Sequence, residues 1–338
     1  MRVGVLGATG YAGAEVVRLC ASHSDLEVVF VSGESSVGRR IGEQVPSLAA
    51  AYPTLVVDAV SSVFDADVEV VFVALPHGES QRLVPTLHAR GVVVVDLGAD
   101  FRLDTPAHYA EWYGHAHTAP ELLASAVYGL VERHREELRG ATLIAVPGCF
   151  PTAAALALGP FMDAGLVERD CVVVNALSGT SGAGRAVSER LHFSRLVGNA
   201  EAYGLLNHRH TIEMQQELGA TVLFTPHLVP VSRGMLVSAF ARTAVSELTT
   251  RDALALLRQR YANDPFIVVT EEPPTMKDPL GSNLCFVSVR VDPRTGWLVA
   301  MSSLDNLGKG AAGQALQAWN VAHGCDETRG LPLAGVTP

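Results

Sequence analysis

The sequence predicts an α/β protein in two parts: a doubly wound parallel sheet, then an α+β region on a mixed or antiparallel sheet. Three observations carry this reading. Short aliphatic runs alternate with helical spacing through the first half, a glycine-rich turn follows the first of those runs, and the second half changes to longer, partly alternating runs. The chain has 338 residues, 48% of them hydrophobic, which is material enough for two buried cores.

In order along the chain, Arg2–Leu6 is a short apolar run ending in glycines, Tyr11–Ser22 has helical spacing, and Glu27–Ser32 is again β-branched and apolar. Glu69–Leu75 and Val92–Leu97 are near-continuous aliphatic runs around the helical stretch Glu79–Ala89, as expected of parallel strands covered on both faces. Thr142–Val146 closes this half, and the polar, proline-containing stretch Asp104–Glu121 is the nearest thing to a linker. The Ala-rich run from Thr152 is helical to Leu158 and broken by Gly159-Pro160. Met235–Thr243, Leu284–Val291 and Leu298–Ser303 suggest an antiparallel sheet, the latter two joined by the hairpin-like turn Asp292–Gly296. Thr249–Ala262 and Gly308–His323 have helical spacing. The domain reading is a first domain over 1–147, a second over 148–305, and a C-terminal helix in 306–338 that returns to the first domain.

A formal net charge of −10 argues against nucleic acid as a partner, since a general binder needs a cationic surface to displace phosphate counterions. Five cysteines with no C-x-x-C pair suit a reducing compartment, and the start MRVGVLGATG lacks a secretory pattern, so a cytoplasmic protein is expected. No stretch reaches the roughly 20 apolar residues of a membrane span. Cys20, Cys171 and Cys285 lie in apolar or amphipathic runs and read as core residues. The pairs His115/His117 and His208/His210 do not have zinc spacing with any cysteine, so no metal site is expected.

Gly7-Ala8-Thr9-Gly10-Tyr11-Ala12-Gly13 stands between a predicted strand and a predicted helix, the context of a Rossmann-type dinucleotide fingerprint. Glycines let the backbone approach a pyrophosphate whose charge sits at the helix N-terminus. At the end of the second strand, Ser32 and Ser35 followed by Arg39-Arg40 fit the 2′-phosphate of NADP(H) better than an NAD ribose, with Glu34 the dissenting residue. Farther along, Cys149 begins a helical run after Val146-Pro147-Gly148. A thiol at a helix N-terminus has its pKa lowered and has N–H donors nearby, which makes Cys149 a plausible nucleophile.

The chain resembles the N-acetyl-γ-glutamyl-phosphate reductases, relatives of aspartate-semialdehyde dehydrogenase and, more distantly, of glyceraldehyde-3-phosphate dehydrogenase. The carriers are GATGYAGAE at the start, LPHGES at 75–80, DLGADFRL at 96–103, IAVPGCFPTAAALALGP at 144–160, SGTSGAGR at 178–185, HRHTIEM at 208–214, PHLVPVSRGM at 226–235 and DNLGKGAAGQA at 305–315. The resemblance implies a glyceraldehyde-3-phosphate dehydrogenase-like fold and NADPH-dependent reduction of N-acetyl-γ-glutamyl phosphate to the 5-semialdehyde in arginine biosynthesis. In that chemistry Cys149 attacks the acyl phosphate, phosphate leaves, and the thioester is reduced. His208 and His210 are the proton-donor candidates, His210 preferred because Glu213 shares its helical face. Glu213 either orients an imidazole or contacts substrate.

Arg102, Arg185 and Arg233 stand in three of these motifs and are candidates for the substrate's carboxylate and phosphoryl groups. The loop Ser178–Gly184, with Ser178 at its head, reads as a nest of backbone N–H groups for an anion. Pro76, Ser181, Gly182, Asn306 and Gly308 are expected on the cofactor, the last two at its nicotinamide end. A homodimer or homotetramer acting on a small-molecule substrate and phosphate is expected. The alternative is the homologous reductase that acts on an aminoadipyl or glutamyl phosphate attached to a carrier protein. A non-catalytic NADP sensor is a rival of another class, which a cysteine at a helix start, two closely spaced histidines and several arginines in motifs disfavour.

Overall fold

The computed structural model describes residues 1–336, and the chain divides into two compact units, Met1–Pro147 with Ala311–Leu331, and Gly148–Gly310 with the tail from Pro332. The first unit contains β1 (Arg2–Leu6), α1 (Tyr11–Cys20), β2 (Glu27–Ser32), α2 (Ile41–Gln44), β3 (Val57–Asp58), β4 (Val70–Val73), α3 (Ser80–Ala89), β5 (Val93–Asp96), α4 (Pro106–Tyr113), β6 (Val127–Tyr128), α5 (Val131–Leu138) and β7 (Leu143–Ala145). Its sheet runs β3-β2-β1-β4-β5-β7-β6 with every pairing parallel. The strand order reverses direction beside β1, which puts a ligand crevice at the carboxyl ends of β1 and β4. All four residues of β4 and of β5 are buried, as a strand covered on both faces requires.

The second unit contains α6 (Cys149–Asp163), β8 (Val172–Ser178), α7 (Phe193–Leu196), β9 (Glu201–Ala202), α8 (His210–Leu218), β10 (Val222–Leu228), β11 (Met235–Arg242), α9 (Thr250–Arg260), β12 (Ile267–Val269), β13 (Cys285–Asp292) and β14 (Trp297–Leu304). A π-helical turn, Gly308–Ala312, leads into α10 (Gly313–Ala322), which belongs to the first unit. The second sheet runs β12-β13-β14-β11-β8-β10-β9. It is mixed: β8/β10 and β12/β13 are parallel, and the remaining pairs are antiparallel. Strand alternation buries Val172, Val174 and Ala176 of β8 and Val237, Ala239 and Ala241 of β11 on one face of the sheet, which α6 covers at β11, while their neighbours face the other way.

Four expectations change. Asp104–Glu121 is no linker: Thr105 caps α4 through Oγ1, which accepts from His108 N at 3.2 Å, and Tyr109 is fully buried. Pro160 does not end α6. The missing N–H frees the Leu156 carbonyl, which accepts instead from the Tyr261 hydroxyl at 2.7 Å, so the helix runs on to Asp163. The return to the first unit begins at Ala311 rather than 306, and the chain from Pro332 rejoins the second unit, where Asn283 N donates to Pro332 O at 3.0 Å. Finally, Cys20 and Cys285 are buried but Cys171 is exposed, because it stands one residue before β8 begins its alternation.

Candidate active site

In the first unit, the turn after β1 closes because its glycines have no side chains. Gly7 has φ +77°, and a Cβ there would lie 2.3 Å from the Ala74 carbonyl oxygen; one on Gly13 would lie 2.3 Å from the Gly7 oxygen. Gly10 caps α1 with no side-chain partner, and the first turn, with Tyr11 and Ala12, carries no acidic residue. Gly10 offers no side-chain acceptor to the first N–H groups of α1, and the turn fits a dinucleotide pyrophosphate. Thr9 lies against Gly33, where a Cβ would be 2.6 Å from Thr9 Oγ1.

At the end of β2 the side chains divide. Ser32 is buried, and its Oγ accepts from Gly7 N at 3.3 Å, so it shapes the turn from beneath. Ser36 Oγ donates to Gln44 Oε1 at 2.9 Å. Glu34 Oε1 accepts from Val60 N at 3.1 Å. Ser35, Arg39 and Arg40 are exposed, as is Pro76 in the loop after β4.

That loop is fixed by Asp100, a buried carboxylate that accepts from Gly78 N at 2.8 Å, Gln81 N at 3.1 Å and Tyr109 Oη at 2.8 Å. Nearby Asp96 accepts from Ser80 Oγ at 2.7 Å, and burial pushes its carboxyl up to about 7 against that bond. Arg102 is half-buried and donates Nη2 to Leu97 O at 2.9 Å.

In the second unit, Cys149 is the first residue of α6, half-buried, with Gly148 as the N-cap and no side chain capping the helix. Three neighbours bracket it. Glu213, fully buried on α8, accepts from Gly148 N at 2.6 Å through Oε1. His210, at the start of the same helix, lies so close to Gly148 that a Cβ there would sit 2.5 Å from its Nε2. From the opposite side the π-helical turn brings in Gly310, where a Cβ would be 2.9 Å from Cys149 Cβ. The site therefore has glycine at 148 and 310 because the imidazole and the cysteine occupy the space a methyl would take.

His208 does a different job. Its Nδ1 accepts from His210 N at 3.1 Å, and its ring is enclosed by Phe150, Tyr203, His210 and Phe224, with ring centroids 4.8–5.7 Å apart. Burial, helped by the Arg209 charge, pushes the His208 imidazole down to about 4. A neutral ring with Nδ1 accepting is a brace for the start of α8. Tyr203 completes the surroundings: burial first, then the Cys149 charge, hold its phenol above the usual range.

The remaining candidates are largely structural in their contacts. Arg233 pairs with fully buried Asp305, Nε to Oδ1 at 3.1 Å and Nη2 to Oδ2 at 3.0 Å. Asp305 also accepts from the amides of Gly281, Leu307 and Gly308. A Cβ on Gly308 would meet the Ser282 oxygen at 2.4 Å, so packing demands that glycine. Asn306 is buried; it donates to Ser181 Oγ and accepts from Gly234 N, both at 2.9 Å. The anion-nest reading of Ser178–Gly184 is corrected: the N–H groups of Gly179, Thr180, Ser181, Gly182 and Gly184 all donate to backbone carbonyls. Ser178 is buried, and its hydroxyl donates to the Gly179 oxygen. Arg185 is exposed just beyond Gly184. Sequence reading did not single out Tyr203, Gly148, Gly310 or Asp305. The glycine immediately before Cys149 was the one available signal.

Among the described residues, no group of three or more His, Cys, Asp or Glu is placed to hold a metal ion, and no helix is long and apolar enough to cross a membrane. Comparison with known proteins then locates this geometry. Residues 2–141 match the family model described as the semialdehyde dehydrogenase NAD binding domain, and 149–306 match the semialdehyde dehydrogenase dimerisation domain. The chain is 45% identical to the N-acetyl-gamma-glutamyl-phosphate reductase of Symbiobacterium thermophilum, over 99% of this chain and 98% of that one. It is 44% identical to the reductase of the same name from Desulforudis audaxviator, over the whole of both chains. In fold it is similar to aspartate semialdehyde dehydrogenase II of Vibrio cholerae, with TM-score 0.71, 19% identity and coverage of 95% and 97%. A likeness of the same kind, TM-score 0.68 at 17% identity and the same coverage, relates it to the Candida albicans aspartate semialdehyde dehydrogenase solved with NADP.

Proposed function

The chain belongs to the semialdehyde dehydrogenase family, among relatives named N-acetyl-gamma-glutamyl-phosphate reductase, and from that membership we propose that it reduces N-acetyl-γ-glutamyl phosphate to the 5-semialdehyde with NADPH, releasing phosphate. The observation that carries the reading is the bracket around Cys149: a helix-start thiol with His210 packed against the preceding glycine and Glu213 holding that glycine's amide. In this reading the Cys149 sulfur, as thiolate, bonds to the acyl carbon while the carbon–oxygen bond to phosphate breaks. His210 holds the proton taken from the thiol and returns it to sulfur when the aldehyde leaves. Bound NADPH supplies the hydride for the intervening reduction. The first turn of α1, with Thr9 and the glycines, takes the pyrophosphate, and Ser35, Arg39 and Arg40 take the 2′-phosphate. Arg102, Arg185 and the outer edge of Arg233 are the cations for the two anionic ends of the substrate.

Dimerisation through the second unit belongs to the same reading. The sheet face turned away from α6 carries an apolar row Leu223–Val173–Phe240–Val299 across β10, β8, β11 and β14, with Leu223 50% exposed. A second copy of the chain is the occupant that the dimerisation region suggests. A biosynthetic role in the cytoplasm accords with the reaction.

The decisive assay runs the reaction backwards. An enzyme that expels phosphate from a Cys149 thioester must use phosphate to release it, so oxidation of N-acetyl-glutamate semialdehyde by NADP should depend saturably on added phosphate. Sustained turnover in phosphate-free buffer would leave a hydrolytic dehydrogenase instead.

A further inference from the structure

Glu34 is out of place for an NADP site. Two residues past β2, it stands where a carboxylate would accept from the ribose 2′-OH of NAD and repel the 2′-phosphate of NADP. The structure gives that carboxylate another task. Gly33 N donates to Asp58 O at 3.2 Å, Gly38 N to Val57 O at 2.8 Å, and Val57 N to Arg39 O at 2.8 Å, so the segment after β2 is laid along β3. From there Glu34 Oε1 reaches Val60 N at 3.1 Å, the first amide of the 3-10 turn Val60–Phe64, which no side chain of its own segment caps.

We propose that the Val60 amide sets cofactor specificity by tethering the Glu34 carboxylate away from the ribose, leaving the end of β2 to Ser35, Arg39 and Arg40. This deepens the NADP reading above and rests on it. Tethered, Glu34 is a cap for the turn after β3. Released, it would be an NAD-type acceptor and a like charge beside the 2′-phosphate. Cofactor choice is then decided partly by a residue that touches no cofactor, Val60, through a hydrogen bond that its side chain does not make.

Val60→Pro removes the tethering N–H and nothing else polar. The backbone accepts it: Ala59, with φ −68° and ψ 148°, is already extended as the residue before a proline must be, and proline suits the first position of a helical turn. Because Val60 also packs on the core of the first unit, Glu34→Asp serves as a second variant, keeping the charge on a side chain one methylene too short for the tether. Equilibrium binding of NADPH and of NADH to the full chain is read by nicotinamide fluorescence, without substrate.

The expected result is a wild type that prefers NADPH, and a Kd ratio in Val60→Pro shifted toward NADH by about tenfold, the factor one ordinary hydrogen bond is worth. Glu34→Asp should shift in the same direction, and Val60→Pro/Glu34→Gln should return to the wild-type ratio. Ratios within twofold of wild type in both Val60→Pro and Glu34→Asp would overturn the proposal while leaving the NADP reading intact. So would an equal shift in Val60→Pro and its Glu34→Gln double variant. A wild type that binds NADH as tightly as NADPH would overturn both.

Discussion

His208 and His210 stand two residues apart and have opposite chemistry. The difference comes from what surrounds each ring. His208 is enclosed by Phe150, Tyr203 and Phe224 and spends Nδ1 on the His210 amide, whereas His210 is packed on Gly148, the residue before Cys149. Two consequences follow for measurement. Asn at 208 keeps a side-chain acceptor for the His210 amide, so His208→Asn should retain kcat within about tenfold, while His210→Asn should lose 100-fold or more, the usual contribution of a positioned acid–base group. The second concerns pH. The His208 imidazole titrates at about 4 in the fold and near 6.5 in the unfolded chain, so between those values the unfolded state binds the extra proton. Stability from this residue is therefore complete above pH 6.5 and lost as pH falls toward 4, on the order of 3 kcal/mol in all. Urea midpoints at pH 7 and pH 5 should separate more for the wild type than for His208→Asn, and equal separations would deny the shift. Residue type and spacing marked both histidines as candidates; the division of labour between them depends on aromatic side chains from distant segments, which spacing does not carry.

At the scale of elements, the site is the start of α6 held between α8 and the π-helical turn Gly308–Ala312. Contact between the helix starts requires backbone without a side chain, so glycine at 148 is a packing requirement as much as a cap. Gly148→Ala should push a methyl into the space of His210 Nε2, at 2.5 Å, and costs about 1–3 kcal/mol of stability if the imidazole stays. The imidazole is more easily moved than the backbone, so the expected outcome is a folded protein with kcat reduced more than tenfold and NADPH affinity unchanged. A variant with wild-type kcat would show that His210 can be displaced without effect on the chemistry. Elements of this kind were legible to different degrees. Buried parallel strands such as β4 and β5 were plain as aliphatic runs, and the helix start at Cys149 was plain from Gly148 and the Ala-rich run behind it. Strands β8 and β10 were not singled out, and the parallel pairing between them decides for mixed a sheet expected to be mixed or antiparallel. Pairing partners distant in sequence leave no local pattern. The same holds for Tyr261, whose hydroxyl lets α6 pass through Pro160, and for the carbonyls that consume the amides of Gly179–Gly184.

For the whole molecule, a net charge of −10 means that long-range electrostatics repel an anionic acyl phosphate, so capture depends on local cations, and it also means that two copies repel each other at a distance. The dimer proposed above would then have to be driven by apolar burial at short range. The face of the second sheet opposite α6 has the material. Leu223, Val173, Phe240 and Val299 are register neighbours on four consecutive strands, and Leu177 and Leu236 form a second pair alongside them. Helices cover the other face, so in the dimer proposed above an aspartate introduced here would disturb the contact with a second copy. Covering a side chain of the size of Leu or Phe is worth about 1.5–3 kcal/mol, and burying an unpaired carboxylate in its place adds to the loss. Phe240→Asp, at the centre of the row, should raise the dimer Kd at least 100-fold while leaving the helical signal of the isolated chain intact. Sedimentation equilibrium over a concentration series reads this directly, and moderate salt separates the charge term from the apolar one, since screening at 0.15 M shortens the mutual repulsion to about 8 Å. If Phe240→Asp and Leu223→Asp both remain dimers at wild-type concentrations, the pairing surface lies elsewhere on the chain. If they dissociate and lose turnover while still binding NADPH, the second copy is needed for the geometry around Cys149 and not for the cofactor.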